Sequence, residues 1–243
     1  MSKKKLYIHI GSHKTGTTSI QHALVLNEGG LAARGATFYY KDSLSGKNLL
    51  PDLHSWLTFA VPGRVVPSGL RIKEPTRLAS ELSGVGTDVI VSSENFGFVF
   101  DQREILQLQA ALSKYFDSIK IICYIRRQDR HVISHHQEGS KLNRAAEYDI
   151  FGHSTRAIPP YGEKHDLYLD YFKKLSMWGD AFGDENMIIK VYDRNQLKNG
   201  DVVDDFFGLF DIENFARVGQ KNSGLGFVRA KLGHLINRSP IVN

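Results

Sequence analysis

The stretch "LYIHIGSHKTGTTSIQHAL", residues 6–24, constrains the fold more than any other part of the 243-residue chain. It begins as an apolar, partly β-branched run ended by Gly11, the composition of a strand buried on both faces of a parallel sheet. From Thr17 onward Ile20, Ala23 and Leu24 recur at the period of a helix. Between them Gly11, Ser12, His13, Lys14, Thr15, Gly16, Thr17 and Thr18 fit the spacing G-x-x-x-x-G-x-[ST], in which backbone N–H groups and the following helix N-terminus form a phosphate site. One residue is out of place. The lysine position of nucleoside-triphosphate-binding loops holds Thr17, and Lys14 lies three residues earlier, inside the loop. Such turns also occur without ligands, but consecutive hydroxyls opening a helix argue that they cap it or bind something. His9 reads as a core or sheet residue, whereas His13 is placed to touch a ligand.

The rest of the chain continues the alternation. "TDVIVSSENF" predicts a strand at about 88–92, "SIKIICYI" a third ending at Arg126, and "NMIIKVYD" a fourth. Helices are expected near 74–83, 102–116, 128–142 and 167–183, over "DVVDDFFGLF", and over "FVRAKLGHLI". Asp101 and Glu104 resemble a capping box for the second of these. "GHSTRAIPPYGEKHD" (152–166) and "RVGQKNSGLG" read as loops, and residues 29–71 show no regular pattern. The order predicts a three-layer α/β sandwich around a mainly parallel sheet, with ligands beyond the carboxyl ends of the strands. A single domain over 1–243 is expected, with acceptor-binding insertions at about 29–71 and 144–166.

Those strand ends carry more chemistry. Arg126 ends the third strand and Ser134 follows eight residues later, past the first helical turn, so a guanidinium and a hydroxyl can hold one phosphate from two sides. An arginine so placed also serves as a surface ion-pair partner. Glu94 follows the second strand, as a site acid or a helix cap. His131 and His135 are spaced i, i+4, but without a third ligand or an H-E-x-x-H pattern no metal is expected.

Composition narrows the classes. Hydrophobic residues make up 42% and charged residues 23%, ordinary for a packed globular chain. The net charge of +5 includes Lys3, Lys4 and Lys5, and the mild remainder suits an anionic cofactor or acidic glycan at least as well as nucleic acid; no basic stripe with interleaved aromatics marks a nucleic-acid partner. Cys123, the lone cysteine, excludes an intramolecular disulfide and reads as a core thiol. No stretch of ~18 apolar residues occurs and the N-terminal apolar run is too short for a signal peptide, so a cytoplasmic protein without an integral membrane segment is expected. Oligomeric state is left open.

"GSHKTGTTS", "VSSENF", "CYIRRQDRHVIS" and "RVGQKNSGLG" together resemble, in order, the motifs of the sulfotransferase superfamily, most nearly bacterial-type carbohydrate-sulfotransferase-like members. The likeness spans residues 6–237 and is specific in those four segments. It implies a P-loop nucleoside-triphosphate-hydrolase-like topology and an enzyme that moves a sulfonate from 3′-phosphoadenosine 5′-phosphosulfate (PAPS) to an acceptor hydroxyl, here on a sugar or polysaccharide. Adenosine 3′,5′-bisphosphate (PAP) is then the product, and no metal is required. By the resemblance, Gly11 to Thr18 hold the 5′-phosphosulfate, with Lys14 at the bridging oxygen and sulfonate. Arg126 and Ser134 match the 3′-phosphate motif, Lys221 belongs to a segment closing over the nucleotide, and Glu94 stands where the family places its general base. Two positions depart from the pattern: Arg127-Gln128 where many members have proline, and Ser19 where small-molecule enzymes have tryptophan. Adenine stacking must come from elsewhere, and phenol or steroid acceptors are disfavoured. A P-loop kinase-like phosphotransferase and a non-catalytic nucleotide- or glycan-binding module are the alternatives.

Overall fold

Strand β1 (Lys5–His9) occupies the centre of a five-stranded sheet because both its faces are apolar or tightly packed: Leu6 and Ile8 point one way, Tyr7 and His9 the other. In the computed structural model, which describes residues 4–42, 51–52, 56–59, 69–140, 163–217 and 226–237, β1 pairs in parallel with β7 (Asp88–Ser92) and β8 (Ser118–Ile125). The register sets His9 beside Ser92 on one side and Ile122 on the other. β2 (Ala36–Phe38) joins β7 and β9 (Met187–Val191) joins β8, both parallel, so the order is β2-β7-β1-β8-β9. Successive strands thus depart from β1 in opposite directions, and the crevice at its carboxyl end is where such sheets bind ligands.

The period-2 alternation sorts the strand residues between two cores. Leu6, Ile8, Val89, Val91, Ile121 and Cys123 pack against α3 (Pro75–Ser83), α4 (Gln102–Leu112) and α7 (Tyr171–Phe182). Ile90, Ile122 and Tyr124 pack against α1 (Thr17–Leu26), α2 (Glu28–Ala32) and α8 (Val202–Gly208). The sheet therefore lies between helical layers, as expected for an α/β sandwich. α5 (Gln128–Gly139) follows β8, α6 (Glu163–Leu169) precedes α7, and α9 (Phe227–Asn237) lies against α5.

Three local expectations are corrected, and region 29–71, to which the sequence assigns no regular elements, is filled in part. It supplies α2, the sheet strand β2, and two short antiparallel ladders, β3 (Lys41–Asp42) with β4 (Pro51–Asp52) and β5 (Leu57–Phe59) with β6 (Leu70–Ile72). Trp56, Leu57, Leu70 and Ile72 enter the larger core, so part of this region is structural. The capping box does not close: Asp101 accepts from the Arg103 N–H at 2.9 Å, but Glu104 turns away to accept from the Ile72 N–H at 3.1 Å, fastening β6. The helix predicted over 167–183 is two helices, because the Asp170 carboxylate accepts from the Lys173 N–H at 2.9 Å and caps a new start. The first of them begins at Glu163, inside the loop read over 152–166. The remainder of the 144–166 insertion, up to 162, lies outside the described residues.

Candidate functional site

The loop after β1 is joined to β8 along its base. Ile10 donates to the Ile122 carbonyl and Ser12 to the Tyr124 carbonyl, each at 2.9 Å, and the Tyr124 N–H donates to the Gly11 carbonyl at 2.7 Å. The chain then turns back at the Ser12 carbonyl, which accepts from the Thr15 hydroxyl at 2.6 Å and the Thr17 hydroxyl at 3.2 Å. Those two buried hydroxyls thus hold the loop's own backbone, while His13, Lys14 and Thr18 stay half-buried. Gly16, at φ 82°, starts α1 without a side-chain cap, and a Cβ there would approach Val202 Cγ1 to 2.6 Å. Only glycine meets both conditions without strain.

Arg126 leaves the end of β8 and reaches this loop directly, its Nη1 donating to the Lys14 carbonyl at 3.2 Å. Its guanidinium lies 5.6 Å from the ring centroid of Tyr192, which also flanks Gly16, and its own carbonyl accepts from the Tyr171 hydroxyl at 2.7 Å. Lys14 has a left-handed backbone, φ 60°, and its ammonium is 2.8 Å from the Glu138 carboxylate on α5. Ser134 is half-buried one helical turn before Glu138 and so shares its face of α5. Lys221 lies outside the described residues.

Glu94 opens the 3₁₀ turn Glu94–Phe98 after β7. It is not the cap of that turn: the Ser93 hydroxyl accepts from the Asn95 N–H at 3.3 Å. Glu94 instead lies against the glycine loop, since a Cβ on Gly11 would come 3.1 Å from the Glu94 Cα. Its carboxylate is 3.9 Å from His13 Nε2, which also lies 3.3 Å from Asn95 Oδ1. Gly11 to Thr18, Glu94, Arg126 and the Ser134 face of α5 therefore meet at the carboxyl edge of three adjacent strands.

Behind this edge lies a cluster that sequence reasoning missed. His13 Nδ1 is 2.9 Å from the Tyr168 hydroxyl, which is 3.3 Å from His135 Nε2, while His131 Nδ1 is 2.6 Å from the Tyr171 hydroxyl. Lys174, 2% exposed, donates to the Tyr168 carbonyl at 3.3 Å and lies 4.7 Å and 5.2 Å from the Tyr168 and Tyr171 ring centroids. Burial dominates the protonation of this group. It lowers His131 to about 3, aided by the Lys174 and Arg126 charges, and takes His135 well below the usual histidine range. It lowers Lys174 to about 8 and pushes the Tyr168 phenol well above its usual value. His131 and His135 stack at 4.7 Å, and no group of three or more metal-ligand side chains occurs among the described residues. Nothing in the local sequence around Tyr168 or Tyr171 marks them, since both look like apolar stripe positions of an ordinary helix.

His9 and Cys123 take the core positions expected of them. His9 Nδ1 is 2.9 Å from the Ser92 hydroxyl and burial lowers it to about 3; burial pushes the Cys123 thiol up. Among the described residues no helix is long and apolar enough to cross a membrane.

No family model matches the chain. It is similar to an uncharacterized protein of Archaeoglobus fulgidus, 34% identical over 126 residues, which are 51% of this chain and 30% of that protein. The matched segment is thus under a third of the relative's length.

Proposed function

We propose that the chain is a sulfotransferase of P-loop topology that moves a sulfonate from PAPS to a hydroxyl of a sugar or polysaccharide. The observation that carries this reading is the tie between Arg126 and the carbonyl of Lys14, beside Glu94. Two cations meant for two separate anionic groups share one strand edge with one acid. The fit is chemical: glycine at 11 and 16 leaves the backbone open where a side chain would collide, and Lys14 supplies a cation inside the loop rather than at a γ-phosphate.

In this reading the backbone N–H groups of the loop and Thr18 bind the 5′-phosphate, and Arg126 with Ser134 binds the 3′-phosphate. Glu94 accepts the proton of the acceptor hydroxyl as its oxygen bonds to sulfur and the bond from sulfur to the bridging oxygen breaks. Lys14 offsets the negative charge that develops on that leaving oxygen. Since its ammonium rests on Glu138, it must exchange that carboxylate for the donor. Acceptor selection would fall to the insertions expected at about 29–71 and 144–166.

Thermal shift with PAP and, separately, with ATP and magnesium tests the reading. A bound ligand raises Tm by mass action, so PAP is expected to stabilise the protein and ATP–magnesium to do so less. No PAP binding at millimolar concentration overturns the proposal, and preference for ATP–magnesium points to phosphoryl transfer instead.

A further inference from the structure

We propose that Tyr168 and His135 act as positioning residues that lock His13 in its Nε2–H tautomer and thereby hold the Glu94 carboxylate in place as an acceptor; this rests on the sulfotransferase reading for its link to turnover.

The proton directions follow from the partners. Glu94 Oε1 and Asn95 Oδ1 both face His13 Nε2, at 3.9 Å and 3.3 Å, and a carboxylate can only accept. The nitrogen between two oxygens must carry the proton. Neutral imidazole then presents Nδ1 as a lone pair, which needs a donor, and the Tyr168 hydroxyl at 2.9 Å is that donor. The phenol stays protonated because burial raises it well above its usual range. Having given its one proton to His13, its oxygen accepts from His135 Nε2–H at 3.3 Å. The chain thus runs in one direction, from His135 through Tyr168 and His13 toward Glu94.

Packing holds the heavy atoms in this geometry. The Tyr168 ring stacks on Phe98 at 4.8 Å, with Lys174 4.7 Å from its centroid, and the His13 ring lies 4.4 Å from Phe98. To put a second proton on His13, the phenol would have to turn its hydrogen to His135, whose Nε2 would first have to lose its own. A fixed Nε2–H facing Glu94 from 3.9 Å turns its positive end toward the carboxylate and orients it before the acceptor arrives.

Two measurements test this. In the ¹⁵N imidazole NMR spectrum of the full chain at neutral pH, His13 is expected as a single Nε2–H tautomer, and an Nδ1–H tautomer overturns the proposal. In turnover assays, Tyr168→Phe is expected to lower kcat about tenfold while the PAP affinity stays within twofold. His13→Gln, whose amide nitrogen falls near the Nε2 position, should retain several times the kcat of His13→Asn, whose nitrogen falls near Nδ1. Equal kcat for Tyr168→Phe and wild type, or for the two amides, overturns the proposal. If wild type binds no PAP, the sulfotransferase reading fails, while the NMR result still decides the tautomer lock.

Discussion

Lys14 and Arg126 arrive at the same sheet edge by opposite routes. Lys14 is placed by its neighbours: a loop closed within six residues by Ser12, Thr15 and Thr17, between glycines whose positive φ favours glycine. Arg126 is placed by distant groups, with Tyr171 on its carbonyl, Tyr192 beneath its guanidinium, and the Lys14 carbonyl on its Nη1. A site built half from local turn chemistry and half from tertiary packing can lose either half alone. Because Arg126 grips the loop itself, it is also the point where the two halves become one.

The largest effects should separate chemistry from grip. Glu94→Gln is expected to cut kcat by about 10²-fold or more with PAP affinity nearly unchanged. Arg126→Ala should weaken PAP by about 10- to 100-fold, from losing charge-assisted bonds of about 1.5–3 kcal/mol, and should lower kcat as well because the Lys14 carbonyl loses its anchor. Calorimetric titration with steady-state kinetics reads both, and a pure binding defect in Arg126→Ala would show that the halves are independent.

Next, the local half can be strained without touching the distant one. Gly16→Ala forces a side chain at φ 82° and against Val202, so a loss of about 1–3 kcal/mol in urea denaturation is expected. Adding Val202→Ala should recover the steric part and leave the backbone part, as a double-mutant cycle can resolve.

Smaller per unit of pH is the response of the packed half. His9 and His131 are held near 3, against 6.5 for an exposed histidine. Between those values the unfolded chain binds the extra protons, so stability is full above pH about 6.5 and is lost as pH falls toward 3. Each histidine adds a slope of up to ~1.4 kcal/mol per pH unit. His131→Asn should remove one such increment from the acid limb of a urea-denaturation series; an unchanged slope would mean that His131 is not buried neutral.

The smallest effect concerns the contact that spans the two halves. Glu138→Gln removes the charge resting on Lys14, and PAP should bind about two- to fivefold tighter, since partly exposed pairs contribute little. A weaker PAP affinity would show that Glu138 instead prearranges the lysine.

The same contrast explains what the sequence discloses. β1, the glycine loop and α1 are legible because strand, turn and helix signals fall within twenty consecutive residues, and β7, β8 and β9 each show an apolar run, buried in β7 and β8 and partly exposed in β9. β2 is not, because Ala36–Phe38 is too short to display a period and earns its place by pairing with β7. Asp101 is correctly seen as a cap, but its presumed partner Glu104 is claimed by β6, from a stretch with no visible pattern. Glu94 and Arg126 can be found as polar residues that end strands. Tyr168 cannot, because it is 155 residues from His13 along the chain and looks like any apolar stripe position.

The approach of Glu94 to Gly11 has one more consequence. The contact is main chain against main chain, with too little room for a methyl group, so no Glu94 rotamer can widen it. The backbones of the 3₁₀ turn and the glycine loop are seated on each other, and only the Glu94 side chain remains to set how far its carboxylate stands from the loop. A side chain at position 11 would push that seat apart before it touched anything else.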